Sequence, residues 1–297
     1  MFPNLIGHDR VKKQLQRDVE SRQPHHAYLF SGPEHVGKMS LLRELMSQLR
    51  DGKAAEGNAL LQQQLEAGQG PGLISFLDHG ESLKVEQIRT IADAVSKRTA
   101  QDQFSFCVIE HLERMTRSAA NAFLKMLEEP SERFIFLMTT RREKKLLPTV
   151  LSRVQLFRCS VLPEKQVREF VEQQVENAVL AQELMELSMG RIGMAVSMMR
   201  DKEVLERMRN LSDRARVLLD HDVTERFRLA EHLTQKDADP QEIFQFLLFL
   251  AQKLQREGME RWIPQLDRIQ KLNRLFQDTQ VNKRMFLEEL FLSLDRR

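Results

Sequence analysis

The chain has 297 residues, 41% hydrophobic and 30% charged, and its 45 basic against 43 acidic side chains leave a formal net charge of +2. That length exceeds a typical single core and predicts two or three domains, while the near balance of charge excludes nucleic-acid binding driven by overall charge; any such contact must come from a local basic surface. The only cysteines, Cys107 and Cys159, exclude a disulfide framework and a four-thiolate metal site. No apolar stretch approaches the length needed to span a bilayer. Met1-Phe2-Pro3-Asn4 lacks the basic-then-apolar pattern of a secretory signal, so the expected setting is a reduced cytoplasm.

In chain order, His26-Ala27-Tyr28-Leu29-Phe30 is a short apolar run of strand type leading into Ser31-Gly32-Pro33-Glu34-His35-Val36-Gly37-Lys38-Met39-Ser40, and Met39 to Leu49 reads as a helix. Strand, glycine loop and helix are the setting of a phosphate-binding loop, and Gly32, Gly37 and Lys38 keep its pattern. Glycines let the backbone wrap phosphates closely, and the lysine ammonium neutralises their charge. The next position should offer a Ser or Thr hydroxyl to Mg²⁺, but Met39 stands there, and a thioether is a poor ligand for a hard cation. Ser40 carries the nearest hydroxyl. The loop therefore reads as suited to cradling phosphate and poorly equipped to hydrolyse it. Binding of ATP or ADP through Lys38 and a retained structural turn stay open as alternatives; Mg²⁺ is not expected.

Residues 51–72 are rich in glycine, alanine and glutamine and read as a partly helical insertion ending in a flexible link at Gly68-Gln69-Gly70-Pro71-Gly72. Ile74-Ser75-Phe76-Leu77 restores order, and Val85 to Lys97 is amphipathic, with Val85, Ile88, Ile91 (or Ala92) and Val95 on one face. Phe104-Ser105-Phe106-Cys107-Val108-Ile109 is a strand of the buried kind, closing on Glu110 and His111. Thr116 can cap a helix running through Ala119, Phe123, Leu124 and Leu127 to the stop at Pro130. Phe134-Ile135-Phe136-Leu137-Met138 is a further strand, ending on Thr139-Thr140. Strands alternating with helices predict an α/β fold with a parallel sheet covered on both faces.

After Pro163 the pattern is helical throughout. Residues 164–200 read as a small helical domain. Beyond about 203, Ile243, Leu247, Leu250 and Leu254 share one stripe, and Phe286 or Leu287, Leu290, Phe291 and Leu294 another. The expected layout is an α/β domain at 1–162, a helical lid at 163–202 and an all-α domain at 203–297. The helix start at Thr116-Arg117-Ser118 is the best candidate for DNA, because N–H groups and the helix dipole suit a phosphate; a plain N-cap is the simpler reading. Arg141-Arg142-Glu143-Lys144-Lys145 reads as a solvated turn.

Four stretches in this order carry a resemblance: Leu5-Ile6-Gly7-His8, His26 to Pro33, Ala120-Asn121-Ala122-Phe123-Leu124-Lys125-Met126-Leu127-Glu128-Glu129-Pro130, and Leu146-Leu147-Pro148-Thr149-Val150-Leu151-Ser152-Arg153. Together they resemble the clamp-loader branch of the AAA+ ATPases, and most of all its delta-prime family of bacterial DNA polymerase III, over about residues 1–200. The resemblance implies an accessory subunit of a DNA-directed DNA polymerase holoenzyme. Such a subunit sits in a five-membered spiral that opens a sliding clamp and places it on primed DNA. Its partners would be gamma/tau-like ATPases and a delta-like subunit, with clamp and DNA reached through the complex and no membrane. The helical 203–297 segment would be the collar that joins the subunits.

The same resemblance marks departures. Members that hydrolyse ATP end the strand at 106–109 with Asp-Glu, the Walker-B pair; here Glu110 and His111 stand there, and His111 is an unlikely base in place of a carboxylate. Alignment on Gly190 and Ala195 puts Gly193 where a sensor arginine would sit, with Arg191 two positions out of register. Thr139 and Thr140 fall near the family's polar sensor. Losing magnesium ligand, carboxylate and arginine together implies a subunit that does not hydrolyse ATP. Arg153, in Ser152-Arg153-Val154, matches the family's arginine finger, aimed at ATP in the neighbouring subunit, where a planar charged fork suits phosphate oxygens. Many relatives carry a four-cysteine zinc module where residues 51–72 stand; with no cysteine there, zinc is not expected. An active ATPase that uses Ser40 and Glu110, or a scaffold without nucleotide, are the alternative functions.

Overall fold

The computed structural model describes residues 5–52, 59–77, 82–96, 104–218, 222–235, 240–256, 269 and 282–293. The chain divides into two compact units, Met1–Val196 and Ser197–Arg297. In order, the elements up to that division are α1 (Asp9–Ser21), β1 (Ala27–Ser31), α2 (Lys38–Asp51), α3 (Ala59–Glu66), β2 (Gln69–Gly70), β3 (Leu73–Phe76), α4 (Val85–Ser96), β4 (Ser105–Ile109), α5 (Arg117–Glu128), β5 (Phe134–Thr140), α6 (Pro148–Leu151), β6 (Gln155–Arg158), α7 (Glu164–Gln174), α8 (Ala178–Ser188) and α9 (Ile192–Arg200), which runs across it. The strands form one sheet in the order β2-β3-β4-β5-β1-β6, parallel except for the β2–β3 pair.

Strands buried on both faces read as unbroken apolar runs, and every residue of β1 and β5 is buried. Alternation divides β1 between two cores. Tyr28 and Phe30 join Leu41, Leu42 and Leu45 of α2 with Val11 and Leu15 of α1. Ala27 and Leu29 join Ile88 and Ile91 of α4 with Ala119, Phe123 and Leu127 of α5. Ile91 thus takes the inner place left open between it and Ala92, while the Val95 side chain lies outside the described residues. Phe123 is fully buried and meets Phe136 edge-to-face, ring centroids 5.1 Å apart.

One expectation is corrected, and one strand is added. Gly68 to Gly72 is no flexible link. Positive φ at Gly68 and Gly72 (76° and 71°) turns the chain back, so Gln69 pairs Ile74 and Gly70 pairs Leu73 as an antiparallel edge. The hydroxyl of Ser75 ties this corner to α3 by donating to the Leu65 carbonyl at 2.6 Å. Sequence periodicity also passes over β6, whose four residues alternate too weakly; its identity comes from pairing Tyr28–Ser31 with Gln155–Arg158.

The second unit holds α10 (Lys202–Val217), α11 (Val223–Leu233), α12 (Pro240–Arg256) and α13 (Lys283–Leu292), with α10 on α12 and α11 on α13. Ile243, Leu247, Leu250 and Leu254 are buried along α12, and Leu287, Leu290 and Phe291 along α13; Leu294 lies outside the described residues. Phe246 and Phe291 pack edge-on at 5.9 Å. Buried Arg226 bonds the Leu218 carbonyl through Nε (3.1 Å) and the Phe291 carbonyl through Nη1 (3.0 Å), so one guanidinium fastens three segments. Among the described residues, no helix is long and apolar enough to cross a membrane.

Phe123→Ala should destabilise the first unit by about 3–5 kcal/mol through lost contacts and a cavity. Denaturant unfolding followed by circular dichroism checks this; a loss below about 1 kcal/mol would contradict the packing described.

Candidate functional site

The phosphate loop leaves β1 between the ends of two strands. Gly32 N–H donates to the Thr140 carbonyl of β5 (3.1 Å), and Cys159 N–H, just past β6, donates to the Ser31 carbonyl (2.7 Å). The passage is so narrow that a Cβ on Gly32 would lie 2.0 Å from the Cys159 carbonyl oxygen, and φ is +152°. Gly37, at φ 99°, starts α2. Lys38 is buried, and its ammonium donates to the carbonyls of Gly32 (2.7 Å) and Pro33 (2.5 Å); burial pushes its pKa down to about 8. His8 Nε2 contacts the Val36 carbonyl at 2.7 Å, bracing the loop from the start of α1.

Met39 packs its side chain against the core beneath α2, and Ser40 lies on the exposed face of that helix. The position that should offer a hydroxyl to magnesium holds a half-buried thioether packed against the core. Among the described residues, no group of three His, Cys, Asp or Glu side chains is placed to hold a metal.

At the ends of β4 and β5 the remaining polar groups are bound to one another. Glu110 follows β4, its N–H donating to the Phe76 carbonyl (2.9 Å); its carboxylate lies 3.9 Å from His111 Nε2, and its charge partly opposes the burial that lowers the pKa of Arg43 of α2. His111 is buried, with a left-handed backbone (φ 54°), and its N–H donates to Thr139 Oγ1 (3.2 Å). Thr140 Oγ1 donates to Glu113 Oε2 (2.6 Å), and Arg141 N–H donates to Glu113 Oε1 (3.1 Å). His111 Nδ1 lies 3.0 Å from Arg141 Nε and 3.3 Å from Glu113 Oε1. Burial alone would raise the Glu113 carboxyl; its contacts with His111, Thr140 and the Arg141 N–H overcome this and hold it down at about 2. Arg141 then reaches back to ion-pair with Glu34 in the phosphate loop. Within the basic run after β5, Lys144 and Lys145 are exposed as expected of a solvated turn and Glu143 forms a double contact with exposed Arg158 of β6 (2.6 and 2.9 Å), whereas Arg141 belongs to the site.

The start of α9 covers the loop. Gly193 N–H donates to the His35 carbonyl (2.7 Å), and a Cβ there would lie 2.8 Å from that oxygen, so no arginine fits this backbone at 193. Arg191, two residues earlier, is 3% exposed; its Nε donates to the Ser188 carbonyl (3.1 Å), both Nη groups lack a hydrogen-bond partner, and burial lowers its pKa to about 10. Glu34, Glu113 and Arg141 join this network at positions to which a motif assigns no role, and Arg191, two positions out of register in the sequence, is buried near them.

Arg153 lies apart from this network. Its Nη1 donates to the Thr149 carbonyl (3.0 Å) and Ser152 Oγ (3.1 Å), and Nη2 pairs with Glu128 Oε1 at the end of α5 (2.9 Å), with about a third of the side chain exposed. Thr116 caps α5 by accepting from Ala119 N–H (3.2 Å), while Arg117 is exposed on the first turn.

Residues 7–163, more than half of the chain, match the sequence model of the family described as "DNA polymerase III, delta subunit". Among curated proteins, the chain is 33% identical over 186 residues to DNA polymerase III subunit tau of Escherichia coli, covering 61% of this chain and 29% of tau. It is 29% identical over 200 residues to subunit delta′ of Bacillus subtilis, covering 66% of this chain and 60% of delta′. Among solved structures, a DNA polymerase III gamma subunit-related protein from Thermotoga maritima superposes with a TM-score of 0.53 at 19% identity, covering 96% of this chain and 98% of that one, a likeness of fold. The chain belongs to the DNA polymerase III delta-subunit family, within the clamp-loader branch of the AAA+ proteins.

Proposed function

We propose that this chain is a delta-prime-like clamp-loader subunit that does not hydrolyse ATP at its own loop and supplies Arg153 to the nucleotide of a neighbouring subunit. The observation that carries the reading is a contrast within one domain. At the loop, Lys38, Glu113, Thr140 and Arg141 are engaged with one another or with backbone, whereas Arg153 stands half-open on a different edge. A guanidinium anchored at two backbone-proximal points keeps a fixed fork, which suits charge developing on a transferred phosphoryl group. The relatives named as tau and delta′ subunits support gamma/tau-like and delta-like partners, with the clamp and primed DNA met through the complex. On this reading residues 1–162 are the AAA+ domain, 163–202 the lid and 203–297 the collar. An active ATPase would need a hydroxyl in place of Met39 and a base in place of His111, and the core position of Met39 weighs against it.

Three measurements test this reading. In a reconstituted loader with clamp and primed DNA, Arg153→Ala should slow the neighbour's site on the order of 10³-fold, with no recovery in Arg153→Lys. The isolated native chain should show no turnover above background. Intact assembly with unchanged turnover would leave the chain a scaffold, and turnover by the isolated chain would make it a motor.

Glu113 should carry a structural pH signature. Its folded pKa lies near 2 against an ordinary 4.5, so it adds stability above about pH 4.5 that is lost as pH falls towards 2. The full effect is about 3 kcal/mol, and Glu113→Gln should abolish that part of the acid slope in denaturation curves. An unchanged slope would mean that the network does not hold the site. Finally, if Arg117 meets a DNA phosphate, Arg117→Ala should lower the complex's DNA affinity and reduce its log–log salt slope by about one. No change would leave Thr116 a helix cap only.

A further inference from the structure

A phosphate loop is an anion hole, made from inward N–H groups, a helix N-terminus and a lysine. Here the wall of the hole contains a carboxylate. Glu34 lies between Gly32 and Gly37, its side chain 15% exposed and ion-paired with Arg141. Its negative charge also supports the protonated forms of Lys38 and Arg191, both of which burial disfavours. The carboxylates recorded against these cations among the described residues are Glu34 and Glu113, with Glu110 beside His111 and with the His35 and His111 imidazoles and the Cys159 thiol as further titratable neighbours. A guanidinium buried like that of Arg191, with two unpartnered Nη groups, is costly unless an anion stands in its field.

We propose that Glu34 is the resident anion of this loop: it stands in for a phosphoryl group among Lys38, Arg141 and Arg191 and excludes phosphate ligands, which makes it a specificity-determining residue. The proposal rests on the reading that the chain's own loop is inert, and is independent of Arg153. Three features support it. The Lys38 ammonium is directed to loop carbonyls, which leaves charge neutralisation to Glu34. Gly193 N–H holds the His35 carbonyl, which fixes the residue next to Glu34. With Glu34 neutral, the three cations would lose the carboxylate nearest the loop, a surplus that a phosphate dianion satisfies; with Glu34 charged, an entering phosphate meets a like charge in a half-buried site.

The test is calorimetric titration of the purified full chain with inorganic pyrophosphate in EDTA. Glu34→Gln should bind pyrophosphate about tenfold or more tightly than the native chain, and adding Lys38→Ala should remove that gain. Circular dichroism checks that the variants fold. If Glu34→Gln does not fold, Glu34→Ala, which also removes the charge, should show the same gain over the native chain. Equal affinity in the native chain and the folded variant overturns the proposal, as does a gain that survives Lys38→Ala. No partner subunit and no ATP turnover enter this measurement. Its failure would therefore leave the Arg153 result standing, and a failure at Arg153 would leave this one.

Discussion

Everything at this site depends on how β1 leaves the sheet. Between β5 and β6 the backbone has room for glycine alone: Gly32 N–H is bonded to Thr140 on one side, and the Ser31 carbonyl is bonded to Cys159 on the other. That passage puts the phosphate loop beside the ends of β5 and β6. It also sets the spacing at which Arg141, the residue after β5, reaches Glu34 in the loop. Parallel strands with crossover helices bring such carboxyl ends together on one rim, where ligand sites of open α/β sheets lie. In this chain the rim is crowded by its own side chains.

The chemistry of that rim is a set of exchanges. A hydroxyl that would face a metal becomes the Met39 thioether, which the core beneath α2 absorbs. A carboxylate that would activate water becomes His111, turned into a contact with Glu113 and Arg141. The arginine expected at 193 is a glycine pressed on His35, and Arg191 lies buried nearby instead. A polar group in a half-buried site needs a partner, and these supply one another.

Arg153 escapes this closure because of where its segment runs. The short α6, started by Pro148, carries it to the end of α5, and its partners Thr149, Ser152 and Glu128 all lie on that edge. A pair as exposed as Arg153–Glu128 contributes at most about 1 kcal/mol, so it orients the guanidinium without committing it. Arg153 and the glycine loop therefore stand on different edges of one domain.

The amino-acid order by itself determined the α/β class, the strand–loop–helix at Gly32–Lys38, the cap at Thr116 and the apolar stripes of α12 and α13. Each is a local rule of periodicity or turn chemistry, and each is met by neighbours in sequence. It also exposed Met39, Glu110 and His111 as departures, since a motif is a local object. The antiparallel edge at Gly70, the weakly patterned β6 and the roles of Glu34, Glu113, Arg141 and Arg191 were decided only by the tertiary structure. Glu34 and Arg141 are far apart in the chain, and nothing in either segment signals the other. Their pairing exists because β1 and β5 are hydrogen-bonded neighbours, Ser31 against Thr140, and burial there makes an unpaired charge too costly to leave.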